Sequence, residues 1–133
     1  MVWADDPAFP SGGSLTAFHG TDIASARTLL RGEPLNVEKA AAQKIDGPPG
    51  FFLAIEVDDA MFFALRRAPG GVVAFRLSLH AVEQLQTAGM IRRKIPPGKT
   101  IRFMGDEMVI PPAAFEVFNG LRAAGEILVT PAL

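Results

Sequence analysis

The sequence predicts a single α+β domain, and three observations carry that expectation. The chain has 133 residues, 49% hydrophobic and 20% charged, which suits one core burying roughly 70% of the unfolded surface. Ten Phe give that core bulk, while 13 Gly and 11 Pro supply many sharp turns, a combination foreign to coiled coils and helical repeats. Short segments that read as strands are interleaved with short segments of helical spacing.

Residues 1–14, rich in Asp, Pro, Gly and Ser, read as a flexible lead-in, with Trp3 and Phe9 able to fold back as a lid; residues 15–133 are the folded domain. Residues 15–19 (LTAFH) read as a strand. Asp22 then caps a helix over 23–30 with Ile23, Ala26, Leu29 and Leu30 on one face and Gly32 as its stop. Residues 33–49 make a long surface excursion that ends in Asp46-Gly47-Pro48-Pro49, with a short helix over 37–43 as one option. A strand over 50–54 (GFFLA), a helix over 58–66 capped by Asp58, and a strand over 72–77 (VVAFRL) follow. Next come a helix over 80–87, an irregular stretch over 91–97 and a strand over 100–104. After the tight Gly105-Asp106 turn, residues 107–110 (EMVI) read as a strand, 113–124 as a helical stretch interrupted at Gly120, and 126–130 as the last strand. There is no internal repeat and no boundary signal after Ser14.

Composition excludes several chemistries. Without Cys there is no disulfide framework, thiol nucleophile or thiolate site, and with two His, His19 and His80, no metal is expected. The first residues lack a basic and apolar leader, and no apolar run approaches the roughly 18 residues of a membrane span, so the expected setting is cytoplasmic without a membrane partner. A net charge of −1 gives no electrostatic reason for nonspecific nucleic-acid binding, and Arg92-Arg93-Lys94 reads as a solvated turn. There is no Gly-x-Gly-x-x-Gly, no phosphate loop ending in Gly-Lys-Ser/Thr, and no Gly-x-Ser-x-Gly elbow.

Three stretches put a polar or aromatic residue at a strand end beside glycine, where backbone approaches a ligand closely: Phe18-His19-Gly20-Thr21, Gly50-Phe51-Phe52-Leu53-Ala54 and Asp106-Glu107-Met108-Val109-Ile110. In this order and spacing they resemble the core of the ADP-ribosyltransferase superfamily, in the His-Tyr-Glu branch that includes diphtheria toxin and the poly(ADP-ribose) polymerases. The resemblance runs from Leu15 to about Thr130, on motifs of a few residues each. It implies a split β-sheet, two small packed sheets with flanking short helices, that clamps NAD in a bent form.

The resemblance implies a role for each motif. His19-Gly20-Thr21 matches the family's His-Gly-Ser/Thr: His19 would bond the 2′-hydroxyl of the nicotinamide ribose, the Gly20 backbone would hold the carboxamide, and Thr21 completes the NAD-binding motif. The alternative for His19 is a strand end with a satisfied hydrogen bond. Phe52 stands in the place of the family's tyrosine, and in Asp59-Ala60-Met61-Phe62 the Phe62 ring stands for the second stacking ring, so nicotinamide would lie between Phe52 and Phe62. The chain has no Tyr, so the hydroxyl of that position is lost while stacking is retained. Alternation sends Phe51 and Phe52 to opposite faces, so only one of each adjacent Phe pair, 51/52 and 62/63, faces the pocket. Glu107 matches the catalytic glutamate: loss of nicotinamide leaves an oxocarbenium-like ribose that a nearby carboxylate stabilises, and the same group orients or deprotonates the nucleophile. Asp106 is its rival, and either is alternatively a turn residue. Arg27, Arg31 or Lys44 would meet the pyrophosphate.

The expected function is that of a small, bacterial-type, toxin-like NAD-dependent ADP-ribosyltransferase, a glycosyltransferase with NAD as co-substrate and no metal. The acceptor, a protein, nucleic acid or small molecule, is open, as is a cognate inhibitor or additional domains. Residues 33–49 would form a flap over the donor. With water as acceptor the same site is an NAD glycohydrolase. Without turnover it is a module binding NAD, ADP-ribose or a protein. An RNA 2′-phosphotransferase would call for more basic residues than are present.

Overall fold

A computed structural model describes residues 13–36, 50–66, 69–97 and 103–132 of the chain. Their elements run β1 (Ser14–Asp22), α1 (Ile23–Leu30), β2 (Phe51–Ala54), α2 (Val57–Leu65), β3 (Gly70–Ser78), α3 (Leu79–Thr87), β4 (Ile91–Lys94), β5 (Asp106–Ile110), a 3₁₀ turn (Pro112–Ala114), α4 (Phe115–Ala123) and β6 (Ile127–Pro131). The class is α+β. The six strands form one open antiparallel sheet in the order β4-β5-β2-β1-β3-β6. The expected pair of small packed sheets is therefore a single sheet, but one with an uneven seam. β1 pairs with β3 along its whole length, whereas β1 and β2 share one register pair, Phe18 with Ala54.

Directly opposed residues of antiparallel strands share a face, so the registers sort the side chains. One face carries Ala17, Leu53, Val73, Phe75, Leu77, Met108, Ile110 and Ile127, and this is the main core. It is covered by α1 through Ala26 and Leu29, by α3 through Ala81 and Leu85, and by α4 through Phe115 and Phe118. The other face carries Phe18, Ala54 and Val72 and is covered by α2 through Ala60 and Ala64. There the helix lies unusually close: a Cβ on Gly20 would sit 1.8 Å from the Ala60 carbonyl oxygen. Glycine in β1 is what lets the α2 backbone touch the strand.

Local signals explain where several elements begin and end. The Asp22 side chain accepts the Ser25 N–H at 2.7 Å and starts α1, and Gly32, at φ 93°, follows its last turn. Ser78 caps α3 by accepting the Ala81 N–H at 3.0 Å. Four expectations need correction. α2 starts at Val57 after Glu56, which makes no side-chain cap bond, so Asp58 lies inside the first turn and is not its cap. Residues 91–94 are not irregular but an edge strand, held by β5 despite having no apolar alternation. Phe103 to Gly105 are not strand, the rest of the strand expected over 100–104 lying outside the described residues. α4 runs unbroken through Gly120, because the buried Phe115 and Phe118 on its inner face outweigh one exposed glycine. The lead-in over 1–12, with Trp3 and Phe9, and most of the 33–49 excursion also lie outside the described residues. Among those described, no helix is long and apolar enough to cross a membrane.

Two glycines give opposite predictions. Gly20→Ala forces the α2 carbonyl away and should lower stability by about 1–3 kcal/mol or more in urea denaturation. In contrast, a Cβ on Gly120 meets nothing within 4 Å, and Gly120→Ala should raise stability by about 0.5–1 kcal/mol.

Candidate active site

The His-Gly-Thr motif sits at the seam. Past the Phe18–Ala54 pair the strands make no further register pair, and the Phe52 carbonyl is met instead by the His19 ring, with Nδ1 at 2.8 Å. A carbonyl only accepts, so in this contact Nδ1 carries a proton and donates. The ring also stacks on Phe51, with centroids 4.3 Å apart, at the end of an aromatic row that continues to Phe75 and Phe118. His19 thus leans on the main-core face while its Nδ1 reaches the seam. Gly20 has the packing role described above, and the Thr21 hydroxyl lies 3.5 Å from Asp22 Oδ2 at the head of α1.

Phe52 is on the opposite face from Phe51, the face that also carries Glu107, because Phe52 opposes Val109 and Ala54 opposes Glu107. The Arg93 guanidinium lies 5.7 Å from the centre of the Phe52 ring. Phe62 does not join it. The stripe of α2 that meets the sheet contains Ala60 and Ala64, and Phe62 is turned away, edge-on to Phe103 and under Arg66. Its neighbour Phe63 packs with the cluster between α2 and the sheet and stacks on Phe103 at 5.1 Å. A two-residue step on a helix turns the side chain by about 200°, which a count along the sequence does not register.

Glu107 is 4% exposed and on the α2 face, one strand beyond β2. Its Oε2 accepts the Arg93 Nε–H at 2.8 Å, a pair placed directly across β4 and β5. Burial pushes the Glu107 carboxyl above the ordinary carboxylate range, while the hydrogen bond and charge of Arg93 act against that. Asp106 points to the other face and pairs with Arg92 at 2.9 Å in a far more exposed setting. The approach to β5 is held by Asp59, a buried carboxylate on α2 whose oxygens accept the Met104 N–H at 2.8 Å and the Gly105 N–H at 2.9 Å.

His19, Phe52 and Glu107, far apart in sequence, are linked across four strands, His19 to the Phe52 main-chain carbonyl, the Phe52 ring to Arg93, and Arg93 to Glu107, but the His19 ring lies on the main-core face while the Phe52 ring, Arg93 and Glu107 lie on the α2 face. Arg93 is the member that reading the sequence missed. The Arg92-Arg93-Lys94 run is not a solvated turn but a strand, and its signal was the acidic pair Asp106-Glu107 that it faces. Of the bases expected at a pyrophosphate, Arg31 pairs loosely with Glu33 at 3.6 Å, Arg27 is exposed on α1, and Lys44 is outside the described residues. The near end of the expected flap is pinned: Asn119 accepts the Leu35 N–H at 2.8 Å and donates to the Leu35 carbonyl at 3.2 Å, while Arg122 donates to the Leu29 and Glu33 carbonyls.

A raised Glu107 value means that the folded protein holds that proton more tightly than the unfolded chain. Its contribution to stability is complete below the ordinary value of 4.5 and is lost as pH rises through the folded value. Urea midpoints measured across that window should fall more steeply for the wild type than for Glu107→Gln, and equal slopes would remove the assignment. Comparison with protein-family models, with curated proteins and with solved structures finds no match for this chain.

Proposed function

We propose that the protein consumes NAD, transferring ADP-ribose to an acceptor in the cytoplasm with release of nicotinamide, on an ADP-ribosyltransferase-like split sheet. The observation that carries this reading is the contact run from His19 through Phe52 and Arg93 to Glu107 across the seam between β1 and β2. It links all three motifs on which the family resemblance rests.

In this reading nicotinamide stacks on Phe52, and the second ring is Phe63, the aromatic side chain of α2 on the sheet side, in place of Phe62. The family resemblance gives His19 the ribose hydroxyl, with the ring oriented by the Phe52 carbonyl. The bond between C1′ and the nicotinamide nitrogen breaks, both electrons leaving with nicotinamide, which departs neutral. The positive charge that develops on the ribose is stabilised by the Glu107 carboxylate, which acts from a low-dielectric position. The acceptor's lone pair then forms the new bond to C1′, and its proton passes to Glu107 or to solvent. Water as the acceptor gives free ADP-ribose.

One observation favours a second reading, a binding module without turnover: Glu107 already has a cationic partner in Arg93. Incubation with NAD separates the two. Nicotinamide release, followed by chromatography, is expected from the wild type and should fall by about a hundredfold or more in Glu107→Gln. Free ADP-ribose in equal amount identifies the glycohydrolase. Saturable NAD binding with no nicotinamide release would overturn the enzyme and leave the module.

A further inference from the structure

β4 and β5 carry two arginine–carboxylate pairs, Arg92 with Asp106 on a diagonal of the ladder and Arg93 with Glu107 directly across it, each made through Nε, at 2.9 and 2.8 Å. The chemistry is the same and the surroundings differ. Arg92 and Asp106 side chains are 62% and 32% exposed, those of Arg93 and Glu107 27% and 5%. An exposed pair exerts little hold on its members, whereas taking away one partner of a buried pair leaves an uncompensated charge. Arg93 is fixed twice, by its Nε–H bond to Glu107 and by the Phe52 ring beside its guanidinium. Among the described residues, Arg93 is the hydrogen-bond partner of Glu107, through Oε2, and none bonds to Oε1.

We infer that Arg93 is a positioning residue for Glu107: it grips the carboxyl group by Oε2 and leaves Oε1 as the oxygen that meets the donor ribose. This rests on the transfer reading above. The other charged groups on the elements around Glu107 are engaged elsewhere or face away. On β4, Arg92 and Lys94 point to the opposite face, as does Asp106 on β5, which is paired with Arg92. On α2, Asp58 is exposed and Asp59 is taken up by the Met104 and Gly105 amides, with Glu56 exposed just before the helix; β2 has no charged residue.

The test compares Arg93→Gln, Arg93→Lys and Arg92→Gln by two measurements on the whole protein: carboxyl carbon NMR titration of Glu107, and the pH profile of nicotinamide release from NAD. In Arg93→Gln the Glu107 midpoint and the acid limb of kcat should move upward together, with kcat at neutral pH down about tenfold and KM within about twofold. Arg93→Lys should restore the midpoint while leaving kcat low, because an ammonium lacks the fixed Nε fork. Arg92→Gln should change neither. If Arg93→Gln fails to fold, Arg93→Lys decides alone, and an unchanged kcat overturns the proposal. An unmoved Glu107 midpoint in folded Arg93→Gln, or an equal effect from Arg92→Gln, overturns it as well. A wild type that releases no nicotinamide ends the transfer reading instead, and the NMR titration then still reports whether Arg93 controls Glu107.

Discussion

The arrangement depends on the seam between β1 and β2, where one register pair is followed by an imidazole in contact with a main-chain carbonyl. A buried peptide carbonyl needs a donor, and where the ladder stops one must come from elsewhere. His19 provides it at Phe52. The sheet therefore stays one hydrogen-bonded body while β1, β3 and β6 on one side and β2, β5 and β4 on the other meet along a short join.

α2 holds the two halves in place. Against β1 it presents Ala60 and Ala64, small enough for the helix backbone to rest on Gly20. Against the segment entering β5 it presents Asp59, whose carboxylate takes two backbone amides. Charge-assisted bonds of this kind are stronger than neutral ones and directional, so they set the level at which β5 joins the sheet. Glu107 sits two residues beyond the second of those amides. The helix that shapes one side of the site thus also sets the position of its carboxylate.

Electrostatics then separate two neighbouring acids. Alternation along β5 turns Asp106 to one face and Glu107 to the other, and the same alternation along β4 sends each its own arginine. Asp106 and Arg92 are exposed and weakly coupled. Glu107 is buried, and its protonation balances desolvation against Arg93.

Much was legible along the chain. Asp22 before the 23–30 helix, Gly32 after it, the β-rich runs of β1, β2, β3 and β5, and the α+β class follow from capping, backbone freedom and alternation, which act over a few residues. His19, Phe52 and Glu107 stand out along the chain only as motif positions. What the chain could not display is whatever depends on a distant partner. Strand β4 has no apolar alternation, and it becomes a strand because β5 offers hydrogen bonds and two acids in register. Gly20 reads as room for a ligand until the Ala60 carbonyl is found against it. The choice between Phe62 and Phe63 turns on the rotation of α2 against the sheet, and the state of Glu107 on burial and on Arg93. Local propensity determined most of the elements and marked the candidate residues; long-range packing decided β4 and which faces met, because register and desolvation exist only once separate segments touch.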